Sequence, residues 1–236
     1  MTGRLLAGVC LLAAQAYGQA ETDLYYVAFL RPAPERKLLS REDGERLQAA
    51  HMAHIRKMAN DGNLVAAGPF EDTPVTISGI FVLKAASLAE ARRIAREDPT
   101  VVEKRNMIDV HPWRGPAGIG EEYRRLHKAD PKTPEGMGLH PIVFIRPGPN
   151  WSKGGADGLQ TGQQELERAI DGLRRTGKLV AGGPIQGEDD FKGLLIFERI
   201  PLKAAIQAVN EQLNLGGGVV KAEYHEFYSA AHVFPW

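Results

Sequence analysis

The sequence has almost no cysteine, no excess of either charge and few aromatic residues. Its 236 residues include one cysteine, 29 basic and 29 acidic side chains, and 7% aromatics. A neutral chain has no electrostatic attraction to a polyanion, so the composition gives no reason to expect nucleic-acid binding. With 43% hydrophobic and 25% charged residues, it is typical of a globular protein rather than a disordered or fibrous one.

The sequence also lacks an apolar run long enough to cross a membrane. The run Leu5–Ala14 is shorter than the roughly 20 residues that a membrane span requires. With Arg4 before it and small residues after it, this run predicts a secretory signal peptide at residues 1–20, cleaved after Ala20. An uncleaved anchor and a lipoprotein modified at Cys10 are the alternatives.

Removal of this leader would change the chain in two ways. It takes away Arg4, which leaves 28 basic against 29 acidic residues and a net charge of −1. It also takes away the only cysteine, so the mature chain would have no disulfide, thiol chemistry or cysteine metal ligand. Such a chain suits an oxidising compartment, and we expect a secreted or periplasmic protein with no membrane contact after leader cleavage.

The rest of the chain repeats itself. Residues 29–69 and 144–184 align at a constant offset of 115 without a gap, and 12 of the 41 positions are identical. After a shift of one residue, Gly79–Leu83 matches Gly193–Phe197. A repeat of this length indicates a tandem duplication of one structural unit.

The duplication predicts two domains, at residues 21–113 and 139–236. Between them, residues 114–138 are predicted to be a linker, because turn-forming pairs such as Asp130-Pro131 occur there. Within this linker, Ile119–Ala129 is compatible with a short helix.

Each half follows the order strand, helix, strand, strand, helix, strand. In the first half, strands are predicted at Tyr25–Leu30, Leu64–Ala67, Ile80–Leu83 and Val101–Val110, and helices are predicted to begin at Ser40 and Ser87. This order predicts an α+β fold of two ferredoxin-like domains, each an antiparallel sheet with both helices on one side. Packing the two sheets face to face would cover their other faces, as an intramolecular pseudo-dimeric α/β barrel. The protein would then be a monomer, or a higher homo-oligomer of such barrels.

Several short motifs of the first half occur together in a known family. They are Tyr26-Val27, His51, Gly62-x-Leu64, Gly68-Pro69, Ser87-x-x-Glu90-Ala91, Asp98-Pro99 and Pro112-Trp113. In these, residues 24–113 resemble the YCII-related (YciI-like) family of the dimeric α/β-barrel group, and residues 140–230 resemble it as a diverged copy. The resemblance implies a histidine–aspartate catalytic pair in a barrel pocket. One relative is a dehydrochlorinase of a chlorinated hydroquinone, and most members have no assigned reaction.

His51 is the first candidate catalytic residue. It lies four residues after Leu47 and four before Ile55, on the apolar stripe of the first predicted helix. The second copy has Leu166 at this position, so the fold accepts an apolar side chain there. Imidazole titrates near neutral pH, which suits general acid–base catalysis. The alternative is a core histidine with satisfied hydrogen bonds.

Asp98 is the second candidate catalytic residue. It is predicted to end the second helix, where a carboxylate opposes the helix dipole. If Asp98 contacts His51, it would orient the imidazole ring and stabilise the imidazolium ion. A turn aspartate before Pro99 is the alternative. Glu71 and Asp72 are rival acids, or else part of a solvated loop.

Arg31, His54 and Asp72 are the candidate substrate-binding residues. Arg31 and its repeat partner Arg146 each end the first strand of their half. A guanidinium group there could hold a substrate carboxylate at the barrel mouth, or could serve the turn that follows the strand.

His54 lies three residues after His51, which can place two imidazoles on one side of a helix. That spacing would allow a metal site with His111 or Asp98. An edge position on the apolar stripe is the alternative, and it is the one we adopt. No metal and no cofactor is therefore expected.

These features favour an exported, cofactor-independent enzyme that acts on a small-molecule ligand. The reaction would be lyase-, isomerase- or hydrolase-like, with His51 and Asp98 as the acid–base pair in the first domain. The alternative is a non-catalytic periplasmic ligand-binding protein or scaffold with the same pseudo-dimeric fold.

Overall fold

Each half of the chain forms a four-stranded antiparallel sheet that its helices cover on one side. The structure is a computed structural model that describes residues 21–71, 76–187 and 190–236. The predicted signal peptide at 1–20 and the candidate residue Asp72 lie outside the described residues. Among the helices that are described, none is long and apolar enough to span a bilayer.

The first half contains the sheet with the strand order β2-β3-β1-β4. Its elements are β1 (Thr22–Pro32), α1 (Arg41–Asn60), β2 (Leu64–Pro69), β3 (Gly79–Leu83), α2 (Leu88–Arg96), α3 (Pro99–Val102) and β4 (Asn106–Pro116). The two predicted helix starts are confirmed, because the hydroxyl groups of Ser40 and Ser87 accept hydrogen bonds from the backbone N–H three residues later.

The second half repeats this arrangement with the strand order β6-β7-β5-β8. After α4 (Glu121–Ala129), its elements are β5 (Gly138–Pro147), α5 (Ala156–Arg175), β6 (Leu179–Pro184), β7 (Gly193–Phe197), α6 (Leu202–Gln212) and β8 (Val220–Ser229). Helices α1 and α5 have the same length and begin 115 residues apart, as the sequence repeat requires. The predicted α+β fold of two ferredoxin-like halves is therefore confirmed.

The predicted start of the fourth strand is wrong. Residues 99–102 form the short helix α3, and β4 begins only at Asn106. Asp98 caps α3 and Pro99 occupies its first turn, a combination that starts a helix. The valines at 101 and 102 are typical of a strand by composition, but this cap overrides their preference. The strand then continues to Pro116, three residues into the segment predicted as linker.

Alternate residues of β1 belong to two different apolar cores. Tyr25, Val27 and Phe29 lie in a central core shared by both sheets, whereas Tyr26, Ala28 and Leu30 pack against the helices of the first half. Strand β5 divides in the same way, with Ile142 and Phe144 in the central core. Because successive side chains of a strand point to opposite faces, both faces of each sheet are buried.

The two sheets close into a barrel along two seams. Strand β2 lies beside β8 through the bridge Phe70–Phe227, and β4 lies beside β6 through the bridge Trp113–Ile185. A Cβ atom on Gly68 would overlap the carbonyl oxygen of Tyr228 across one seam. The repeat partner of Gly68 permits the same close approach at the other seam. The predicted intramolecular pseudo-dimeric barrel is thus confirmed.

We expect the isolated first half, residues 21–117, to form a dimer in place of the missing second half. Alone, it would expose the central-core face of β1 to water, and self-association would cover that face again. Sedimentation velocity of the fragment, with the mature chain as a size reference, tests this. A fragment that stays a folded monomer would contradict the dependence of each half on the other.

Candidate functional site

His51 and Asp98 meet on the helix-covered face of the first sheet. The Nδ1 atom of His51 lies 2.6 Å from the Oδ2 atom of Asp98. Asp98 is fully buried, and the side chain of His51 is 16% exposed. The imidazole of His51 stacks on Phe81, with 6.0 Å between ring centroids, and Phe81 belongs to the core beneath the helices. The pair therefore lies outside the barrel rather than in the barrel pocket that the resemblance implied.

Asp98 closely follows the end of α2, as predicted, but its carboxylate also caps the short helix that comes next, which the sequence interpretation did not include. It follows α2 and is the N-cap of α3, where its Oδ1 atom accepts hydrogen bonds from the backbone N–H and the hydroxyl group of Thr100. Burial alone would raise the pKa of Asp98, but the hydrogen bonds from His51 and Thr100 outweigh it and lower that pKa. The carboxyl group is therefore ionised at neutral pH.

A chain of hydrogen bonds supports Asp98 through its other carboxylate oxygen, Oδ1. The amide of Asn106 donates to the hydroxyl oxygen of Thr100 at 3.0 Å, and the hydroxyl of Ser78 donates to Asn106 at 3.3 Å. An ionised carboxylate only accepts, so the proton between the pair is on Nδ1 of His51. This tautomer leaves a lone pair on Nε2, which makes no hydrogen bond to any of the described residues.

A cleft of about 210 Å³ lies near this pair, although neither His51 nor Asp98 lines it. Leu47 and Gln48, one turn before His51 on α1, form one wall, and Thr100 and Asn106 form another. Two members of the hydrogen-bond chain behind Asp98 therefore face the cleft. A larger, open depression near Lys84 lies apart from the pair.

His54 does not join the pair in a metal site. Its Nε2 atom is buried and has no hydrogen-bond partner among the described residues. His111 pairs with Val27, so its side chain lies on the barrel side of the sheet, opposite α1. Within the described ranges, no group of three or more histidine, cysteine, aspartate or glutamate side chains is placed to hold a metal ion.

Arg31 also lies on the barrel side, so the structure separates it from His51. Its Nε atom is 3.4 Å from a carboxylate oxygen of Asp109, and its guanidinium lies over the ring of Phe191. Glu71, the rival acid, is exposed at the seam between β2 and β8, where its backbone N–H donates to the carbonyl of Glu226.

The second half places an equivalent cluster beside Phe191, which the sequence analysis missed. Arg146 forms an ion pair with Glu223, and Nε2 of His225 lies 2.9 Å from the other carboxylate oxygen. The hydrogen bonds from His225 and Arg146, against the effect of burial, lower the pKa of Glu223 to about 2. The sequence did contain a signal for these clusters. In the last strand of each half an acidic residue lies two positions before a histidine, as Asp109 does before His111.

Comparison with known proteins places the first half in a family and the whole chain in a fold. Residues 25–114 match the family model of the YCII-related domain. No curated protein matches the chain. A mutant chlorite dismutase from Candidatus Nitrospira defluvii is similar, with a TM-score of 0.55, 11% identity, and coverage of 89% of this chain and 92% of that one.

A heme-binding protein from Thermus thermophilus is also similar, with a TM-score of 0.51 and 12% identity. The likeness covers 89% of this chain and 92% of that chain. At such low identity these structures share the fold with this protein. Because each match spans most of both chains, the likeness extends across both halves of the barrel.

We expect His51→Leu to lower the free energy of unfolding by about 1–3 kcal/mol, because it removes a hydrogen bond from a buried carboxylate. In an Asp98→Asn background the charge is absent while the cap oxygen remains, so the same change should have a smaller effect. Urea denaturation of the four proteins at pH 7 measures this coupling. Additive effects of the two substitutions would show that the pair does not stabilise the fold.

The effect of Asp98→Asn should also depend on pH. A carboxyl group with a lowered pKa contributes stability above its unfolded pKa, about 3.9, and loses it as the pH falls through the folded value. We therefore expect the destabilisation by Asp98→Asn to diminish below about pH 4. An effect of constant size between neutral and acidic pH would contradict an ionised Asp98.

Proposed function

Because the first half of the chain is a YCII-related domain, we propose that the protein is an enzyme that acts on a small molecule at His51. The observation that carries this proposal is the 2.6 Å contact between Nδ1 of His51 and the buried carboxylate of Asp98. That contact fixes the tautomer and leaves Nε2 as the atom that exchanges a proton with the substrate. Asp98 is a positioning residue, since it acts through His51.

The proposed reaction is a proton transfer in two steps. Nε2 of His51 first takes a proton from a substrate carbon or from an attacking water, and the imidazolium that forms is stabilised by ionised Asp98. The imidazolium then returns the proton to a leaving group or to a neighbouring atom of the substrate. Lyase-, isomerase- and hydrolase-like reactions all fit this sequence, and none of them requires an electron acceptor, so the proposal includes no cofactor.

A haem, which the Thermus thermophilus protein is named for binding, does not fit the described residues. In the second half, the space between sheet and helices is filled by an apolar cluster that includes Leu166 and Phe197, and neither α5 nor α6 carries a histidine. In the first half, the cleft beside His51 measures about 210 Å³ and is partly lined by charged and amide side chains. We therefore route no step of the reaction through haem iron.

The alternative is a ligand-binding protein or scaffold without a reaction. It is favoured by the second role of Asp98, whose carboxylate caps α3 whether or not a substrate is present. In such a protein His51 would stabilise the fold or hold a ligand, and replacing it would not abolish any reaction.

Turnover by the mature protein tests the proposal. We suggest a panel of chlorinated hydroquinones and small carbonyl acids in D₂O, with chloride release and deuterium incorporation measured by NMR. His51→Gln is expected to reduce the rate at least about 100-fold while the far-UV spectrum is unchanged. Met52→Gln, at an exposed position on the same helix, is the matched control.

Two results would contradict an enzyme. One is a His51→Gln variant that turns over its substrate at the rate of the Met52→Gln control. The other is a wild-type protein that is stabilised thermally by a panel member without converting it, which would favour the ligand-binding alternative.

We also propose that residues 1–20 are removed during export, so that the mature protein is secreted or periplasmic. The position of β1 supports this, because it begins at Thr22 and cleavage after Ala20 would leave the sheet intact. The carbonyl of Glu21 already accepts a hydrogen bond from Ala117. We expect the intact mass of the periplasmic protein, after expression in a Gram-negative bacterium, to begin at Glu21. A cytoplasmic product that retains residues 1–20 would refute export.

A further inference from the structure

The cleft beside the His51–Asp98 pair is open in the first half, while its counterpart in the second half is filled. Arg36 and Leu47 line the cleft, and at the repeat offset of 115 the second half has Trp151 and Gly162. Trp151 is only 6% exposed and belongs to the core beneath α5 and α6. A Cβ atom on Gly162 would lie 3.0 Å from its indole ring. The fold can therefore close this place with an aromatic side chain, but the first half leaves it open.

The charged residues that line the cleft are two arginines, Arg36 and Arg105, and no acidic residue lines it. Neither arginine forms an ion pair with a carboxylate of the described residues. Arg105 donates to the backbone carbonyl of Lys37 through one nitrogen, which leaves its other N–H groups available. Glu103, two residues before Arg105, is already held by Arg46 at 3.0 Å. The cleft is thus a positively charged concavity without an internal counter-ion.

We propose that this cleft binds the carboxylate or phosphate group of the substrate. Guanidinium groups present paired N–H donors that match the oxygens of either anion. A volume of about 210 Å³ accommodates such a group with a few attached atoms.

The position of the cleft connects the anionic group to the reacting centre. Gln48 lines the cleft one helical turn before His51, and Thr100 lines it while donating to Asp98. An anion held by the two arginines would therefore lie beside a residue that contacts Asp98, and the rest of a small molecule would extend from there to the pair. The substrate role rests on the proposed function, whereas anion binding can be measured without any turnover.

Binding of inorganic phosphate and of succinate to the mature protein tests the inference. Isothermal titration at constant ionic strength, with chloride as the reference anion, would be compared for wild type, Arg36→Gln and Arg105→Gln. We expect the dissociation constant of the preferred anion to rise at least about tenfold in each arginine variant. Arg125→Gln, an exposed arginine on α4, is the matched control and should bind as wild type does.

A second variant tests the cleft itself rather than its charge. The double variant Arg36→Trp/Leu47→Gly introduces the residue types of Trp151 and Gly162, which close the corresponding cleft in the second half. We expect this protein to remain folded and to bind neither anion. Amide shifts of Thr100 and Asn106 on titration would locate the anion in wild type.

The outcomes separate this inference from the proposed function. Binding of phosphate alone would identify a phosphorylated substrate, and binding of succinate alone a carboxylic acid. Binding that persists in Arg36→Gln and Arg105→Gln, or no binding by wild type beyond that of chloride, would overturn the inference. We expect His51→Gln to bind the anion as wild type does. A His51→Gln variant that loses turnover but still binds the anion would therefore test only the role of His51 in the reaction.

Discussion

Each sheet of this protein has two apolar faces, and the helices of its own half can cover only one of them. In β1, Tyr25 and Val27 point to the face that the helices of the first half leave open, and in β5 Ile142 does the same. Burying such a face contributes about 25 cal/mol for each Å² removed from water. The duplicated chain supplies the cover, so the barrel core holds both halves together. Glycines at both seams then allow the backbones to approach.

Closing the barrel also divides the polar chemistry of the chain into two compartments. The His51–Asp98 pair lies beneath the helices, whereas Arg31 and Arg146 lie on the barrel side with Phe191 near both guanidinium groups. A layer of paired backbone separates the two compartments in the first half. Inside the barrel the arginines have acidic partners, whereas no carboxylate in the described part of the chain pairs with the two arginines of the cleft. The first arrangement stabilises the barrel mouth, and the second is suited to an external anion.

The fold could be predicted from the sequence because the repeat and the order of short apolar runs are properties of the chain itself. The resemblance implied a histidine–aspartate pair but the sequence left open whether His51 and Asp98 meet, and the structure brings them into contact. The separation of Arg31 and His51 onto opposite faces of the sheet could not be predicted, because a strand buried on both faces has no alternation of polar and apolar residues to mark its faces. The clusters with Asp109 and Glu223 depend on the register of the last strands, which no local pattern specifies.

The two halves provide an internal comparison of what the fold requires. Both keep an arginine at the end of the first strand with an acidic partner across the sheet, so this pair belongs to the shared architecture. Only the first half keeps a histidine on the long helix, where the second has Leu166. The second half also fills the cleft with Trp151. Both replacements are apolar, so the shared architecture itself does not demand a histidine or an open cleft at these places. A polar pair that only one half carries, and that the shared fold can do without, is the physical argument for placing the function at His51.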